Sequence, residues 1–302
     1  KGILLGMPFL FLINMKIANE YLTATFKAQG AELTSLLSKS NKKEYIWQAE
    51  AKYWNRHAPV LFPFVGRLKG DTYQYQGASY QVGQHGFARD RKFEVLEHQS
   101  DSIMFSLISD KESFKQYPFH FEFRITYELD EHLLKVRYEV HNAAEQEMYF
   151  SIGGHPAFNC PMSKSEVRSD YSLIFEKKEK AERHLLVDGV FSGATEPVLE
   201  NSNRLPITEL LFDADALVFK NLKSKSVTLE SSKSKWLTFH FDGFPYLGIW
   251  SKNRESPFVC IEPWFGLADN ADHDGLIENK EGIQKLAGEQ TFVCEYGIEI
   301  HD

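Results

Sequence analysis

A chain of 302 residues, 43% hydrophobic and 25% charged, can bury a large core and fits either two domains or one large β domain. Its formal net charge of −8 argues against a nucleic-acid partner, which needs a basic face, while leaving room for a local basic pocket. Cys160, Cys260 and Cys294 are odd in number and widely spaced, match neither a disulfide framework nor a metal-ligand spacing, and so point to a reducing, cytoplasmic setting.

Residues 1–14 begin with a lysine and continue as an apolar run. They lack a small-residue cleavage site and are too short to span a bilayer as a helix. They are expected to be a leader or upstream extension, with Met15 the natural start and one domain over 15–302. From Ile17 onward the dominant period is two. Phe119, Phe121, Phe123, Ile125, Tyr127 and Leu129 alternate with polar residues. After Asp130-Glu131-His132 the phase resumes as Leu134, Val136, Tyr138 and Val140, which predicts an antiparallel hairpin with one buried face. Similar runs at 73–82, 93–96, 103–108, 171–175, 227–229, 237–241 and 291–300 predict further strands, punctuated by Gly77, Gly243 and Gly288. Helical candidates are short: 113–116 and 283–286. Many closely spaced strands without long helices define an all-β protein, a large antiparallel β-sandwich. The aromatic content, 24 Phe, 13 Tyr and 5 Trp, suits strands and supplies faces on which sugars stack.

Three stretches carry unusual chemistry. In Ser151-Ile-Gly-Gly-His-Pro-Ala-Phe, two glycines permit unusual dihedrals or a close approach, and Pro156 ends sheet pairing, so His155 is held at a strand end as a candidate acid/base group. In Phe258-Val-Cys-Ile-Glu-Pro-Trp-Phe-Gly266, Glu262 interrupts an apolar strand. Burial there is costly unless the group is bonded or useful, and it raises a carboxyl toward a base's working range. An arginine salt bridge is the structural alternative. Upstream, Phe64-Val-Gly-Arg67 and Gln84-His-Gly-Phe-Ala-Arg89 offer two arginines able to grip hydroxyls or a phosphate. Asp269, Asp272, His273 and Asp274 fit no calcium-loop spacing and read as a solvated turn. No phosphate loop, dinucleotide fingerprint or zinc spacing is present.

Taken in order on an all-β chain, Arg67, His85-Gly86, Gly154-His155-Pro156 and Ile261-Glu262-Pro263 resemble the aldose 1-epimerase (galactose mutarotase-like) family, from about Ile17 to the C-terminus. The His-Gly-Phe-Ala-Arg and Gly-Gly-His-Pro-Ala-Phe forms are similar to its LacX-like branch and to hexose-6-phosphate epimerases. The resemblance implies the galactose mutarotase-like supersandwich, a sugar cleft on a concave sheet, and no metal or organic cofactor. It implies Glu262 as general base, His155 as general acid, and His85 and Arg67 as groups that position the sugar. A hydroxyl-binding aspartate is implied before a short apolar strand. Asp213 and Asp215 both fit, Asp215 better because it directly precedes Ala-Leu-Val-Phe. Gly66-Arg67 departs from the Asn-Arg of galactose mutarotases. The expected activity is therefore anomer interconversion of a hexose or hexose phosphate, with Arg89 a further substrate contact. A non-catalytic sugar sensor is the alternative. The expected partner is a small sugar or sugar phosphate, with no nucleic acid and no membrane, in a monomer or homodimer.

Overall fold

The computed structural model describes residues 15–301; the leader read at 1–14 lies outside them. The architecture is an antiparallel β-sandwich. One sheet has nine strands, in the order Val190–Pro206, Tyr171–Val187, Ser226–Ser231, Lys235–His240, Thr291–Ile300, Leu133–Asn142, Phe121–Asp130, Ser102–Ile108 and Glu94–His98. The facing sheet has six: Leu217–Lys220, Tyr246–Trp250, Phe258–Phe265, Ile152–Gly154 and Val60–Leu61, with Ala157–Asn159 also paired to Phe258–Phe265. Among the described residues no helix is long and apolar enough to cross a membrane.

The alternation read in the sequence is the alternation of burial. Phe121, Phe123, Ile125, Tyr127 and Leu129 face the core, and the strand pairs in register with Leu133–Asn142 across Glu131-His132. Rings from the two sheets meet between them, Phe62 against Phe123 at 4.9 Å and Phe158 against Phe239 at 6.1 Å. Aromatic pairs at such spacing add about 0.5–1.5 kcal/mol each beyond area burial. Two expectations change. Residues 283–286 form no helix; Gln284–Leu286 is a strand paired with Met148–Phe150. The strand read at 171–175 runs on to Val187 and returns as Val190–Pro206, one long hairpin.

The Phe258–Phe265 strand positions the site. It lies between Tyr246–Trp250 and Ile152–Gly154 and is buried on both faces. Val259 and Ile261 join the main core, whereas Cys260, Glu262 and Trp264 project from the opposite face, as a period of two demands. That face would meet water if it were not roofed. The long hairpin covers it: its tip, Asp188-Gly189, turns with both residues at positive φ, and Phe191 donates its N–H to the Asp269 carbonyl at 2.8 Å.

Candidate active site

Under the hairpin is a cavity of about 330 Å³. This is at the small end of ligand sites, which run about 300–1,000 Å³. His85, Arg89, His155, Asp215 and Glu262 all line it, so five of the six residues singled out in the sequence are brought together. The aromatic walls are Trp54, Trp250, Trp264 and Phe191.

Trp264 sets the floor. A Cβ on Gly153 would meet its ring at 2.6 Å and one on Gly248 at 2.5 Å, so glycines on both neighbouring strands let the indole lie flat across the sheet. Close approach is thus the reason for the glycine before Gly154-His155. Beyond it, His155 is held by its backbone N–H to the Pro59 carbonyl at 3.0 Å and stacks on Trp54 at 5.0 Å. Its Nε2 lies 3.2 Å from Glu262 Oε2. Both side chains are nearly inaccessible, 9% and 2% exposed, and Glu262 Oε2 and His155 Nδ1 have no hydrogen-bond partner. The arginine salt bridge that would have explained Glu262 structurally is not formed; its neighbour is an imidazole.

Burial governs the electrostatics. Desolvation, then the Asp215 carboxylate, pushes Glu262 well above the usual carboxyl range. Desolvation, with the Arg89 and Arg56 charges, lowers His155 to about 3. Both groups are driven to their neutral forms, so the pair holds one proton, placed on the carboxyl. His85 is lowered well below its usual value by burial, then by His155 and Arg89. Its Nδ1 accepts the Gly66 N–H at 3.1 Å, leaving the ring proton on Nε2 as a neutral donor. Gly86 explains the motif after it: with φ of 71°, a Cβ there would fall 2.2 Å from the Phe62 carbonyl oxygen.

The two arginines part company. Arg89 lines the cavity, gives an N–H to the Gln84 carbonyl at 2.6 Å, and keeps its buried Nε without a hydrogen-bond partner. Burial, then the Arg56 charge, lowers it to about 10. Arg67 does not line the cavity. Its Nε and Nη2 grip both oxygens of Asp71 at 2.9 Å, and its Nη1 reaches the Asp188 carbonyl at the hairpin tip at 3.3 Å. Of the two candidate aspartates, Asp215 lines the cavity and Asp213 is tied to Arg254 on the surface. The acidic loop is not wholly a solvated turn. Asp269 is buried and takes a 2.6 Å bond from buried Lys280. Sequence reasoning missed Trp54, Gln84, Lys252 and the hairpin residues Leu186 and Phe191 as lining groups. The aromatic excess was the one signal that bore on Trp54.

The large antiparallel sandwich is the fold of galactose mutarotase-like proteins. The aldose 1-epimerase family model matches residues 14–280, and this chain belongs to that family. It is 37% identical to the chromosomal LacX protein of Lactococcus lactis subsp. lactis, over 95% of this chain and 99% of that one. A galactose mutarotase related enzyme from Lactobacillus acidophilus superposes with a TM-score of 0.91 at 37% identity, covering 95% of this chain and 97% of that one. A galactose mutarotase-like protein from Lactobacillus casei gives 0.89 at 33% identity, over 95% and 99%.

Proposed function

We propose that the protein is a mutarotase that interconverts the α and β anomers of a hexose or hexose phosphate. The observation carrying this reading is the His155–Glu262 contact of 3.2 Å at the base of the cavity. Glu262, as carboxylate, takes the proton from the C1 hydroxyl while His155, as imidazolium, gives its proton to the ring oxygen. The C1–O5 bond breaks, its electron pair goes to O5, and C1 becomes an aldehyde. Rotation about C1–C2 and the reverse transfers close the other anomer. The dyad holds one proton throughout. Ring opening turns the charged pair into protonated Glu262 and neutral His155, the form that burial favours. In this reading neutral His85 donates to a sugar oxygen, Asp215 accepts from a hydroxyl, and the tryptophans stack on the ring.

Arg89 and Lys252 line the cavity of a chain whose net charge is −8, with the field of Arg56 reaching the same groups. That favours a phosphorylated substrate. Anomer exchange measured by NMR on free and phosphorylated hexoses tests the reading. Exchange above the buffer rate, lost in Glu262→Gln, supports it and identifies the substrate class. Binding without exchange for any sugar overturns it in favour of a sensor.

A further inference from the structure

At the base of the cavity, three side chains converge that sequence spacing does not group. His155, Cys260 and Glu262 each offer one ligand atom, and these atoms lie within 4.8 Å of one another. Among the described residues no other three such groups do. The strand supplies two of them: Cys260 and Glu262 are two apart on Phe258–Phe265 and share a face. Ala157, two residues beyond His155, pairs with Cys260 and brings the third alongside. All three are buried, and Glu262 Oε2 is without a hydrogen-bond partner.

We propose that this trio binds a zinc-class divalent ion, and that the bound ion inhibits the protein by occupying His155 and Glu262. Thiolate, imidazole and carboxylate are zinc's donor set, with bonds of about 2.0–2.3 Å in a tetrahedron. Such ligand atoms stand roughly 3.3–3.8 Å apart, so separations within 4.8 Å close through small side-chain rotations. Three protein ligands leave a fourth position for water or a sugar hydroxyl, since His155 and Glu262 both line the cavity. Magnesium and calcium, which need several oxygen ligands, do not suit a site with a single carboxylate. Binding releases two protons to solvent, one from the Cys260 thiol and the one the pair holds on Glu262, in exchange for a sulfur–zinc and an oxygen–zinc bond, and no electrons are transferred. The site is inhibitory rather than the seat of a resident cofactor because His155 Nδ1 is buried without a partner. Built metal sites have that N–H donate to a second group. Cys260 does not line the cavity and takes no part in the sugar reaction.

The metal half needs no assumption about turnover; the inhibitory half rests on the mutarotase reading. The full chain is titrated with Co²⁺, which reports thiolate ligation by a charge-transfer band, and with Zn²⁺ by equilibrium dialysis. One ion per chain is expected, with the band present in wild type and absent in Cys260→Ala, and zinc affinity falling in that variant by more than the roughly 10- to 100-fold that loss of an outer-shell partner costs. Metal-free Cys260→Ala is expected to keep wild-type anomer exchange and to resist zinc concentrations that stop the wild type. Should Cys260→Ala not fold, Cys260→Ser gives the same spectral test. No thiolate band, or equal zinc affinity in the variant, overturns the site even if anomer exchange is robust. Zinc binding that leaves exchange untouched overturns the inhibition.

Discussion

Among the described residues, two buried acid–base pairs have carboxyls near one another in the chain, Glu262 and Asp269, and are finished differently. Lys280 and Asp269 meet at 2.6 Å, each side chain about 1% exposed, and the second Asp269 oxygen takes the Lys69 N–H at 2.8 Å. Burial alone lowers Lys280, but Asp269 opposes that shift through both charge and hydrogen bond. His155 and Glu262 are as deeply placed at 3.2 Å, yet an oxygen of one and a nitrogen of the other are left unbonded. A completed pair fixes structure: Asp269 also accepts the Phe191 N–H through its carbonyl and gives its own N–H to Arg67, tying the roof to the cavity wall. An incomplete pair stores unmet bonding capacity for a ligand. Buried polar groups usually find partners, so the shortfall marks the functional pair.

The largest effect that would break this contrast is at Glu262. Glu262→Gln is expected to slow anomer exchange by roughly 10²–10⁴-fold, the range for a lost general acid–base group. Its unfolding midpoint in urea should stay near the wild type, because one buried neutral group replaces another of the same shape. Exchange at wild-type rate would take Glu262 out of the reaction. Lys280→Met should do the reverse. Leaving Asp269 buried without its cation costs about 3–5 kcal/mol, read as a fall in the urea midpoint. Exchange per folded molecule should stay within a few-fold. A variant as stable as wild type would show that the completed pair is not structural.

Proton linkage sharpens the comparison. His155 has an unfolded value of 6.5 and a folded value of about 3. A depressed folded value contributes stability that is present above about pH 6.5 and is lost as pH falls through about 3. The shift corresponds to at most about 5 kcal/mol. Across pH 7 to 4 the wild type should therefore lose stability more steeply than His155→Asn, by up to about 1.4 kcal/mol per pH unit. Equal slopes would mean that the imidazole is not buried neutral. For turnover, the one-proton dyad persists from about pH 3 up to the raised value of Glu262. The acid limb then belongs to the histidine and the alkaline limb to the carboxyl.

Much of this was legible in the sequence where one face of a strand is buried. Phe119 to Leu129 announces a strand because every second residue enters the core. Glu262 and His155 stand out because a charge or an imidazole in an apolar run is costly. The roofing hairpin was read only to Phe175 because beyond it the strands leave the sandwich. With both faces largely in solvent, Glu176–Lys178 and Gly193–Glu196 carry no period of two. Residues 283–286 have apolar spacing that suits a helical turn, and only the distant partner Met148–Phe150 makes them a strand. Asp269 looked like one of several loop acids because Lys280 lies outside any local motif.

Arg67 gives the smallest and most discriminating test. The family resemblance makes it a sugar-positioning group, whereas its donors are spent on Asp71 and on the Asp188 carbonyl. It would then act through the roof: a Cβ on Gly189 would sit 3.0 Å from its Cδ, so the hairpin tip rests on its aliphatic stem. Arg67→Ala should loosen the tip, raising KM about 3- to 10-fold with kcat within about two-fold, the signature of lost uniform binding. Proteolysis near residues 188–193 should quicken in parallel. Arg67→Lys should not rescue either, because a point charge cannot hold both Asp71 oxygens and the carbonyl at once. If Arg67 instead turns inward and bonds the sugar as the ring opens, kcat falls with kcat/KM and proteolysis does not change. That result would return Arg67 to the cavity and leave the hairpin tip to the Phe191 backbone bonds.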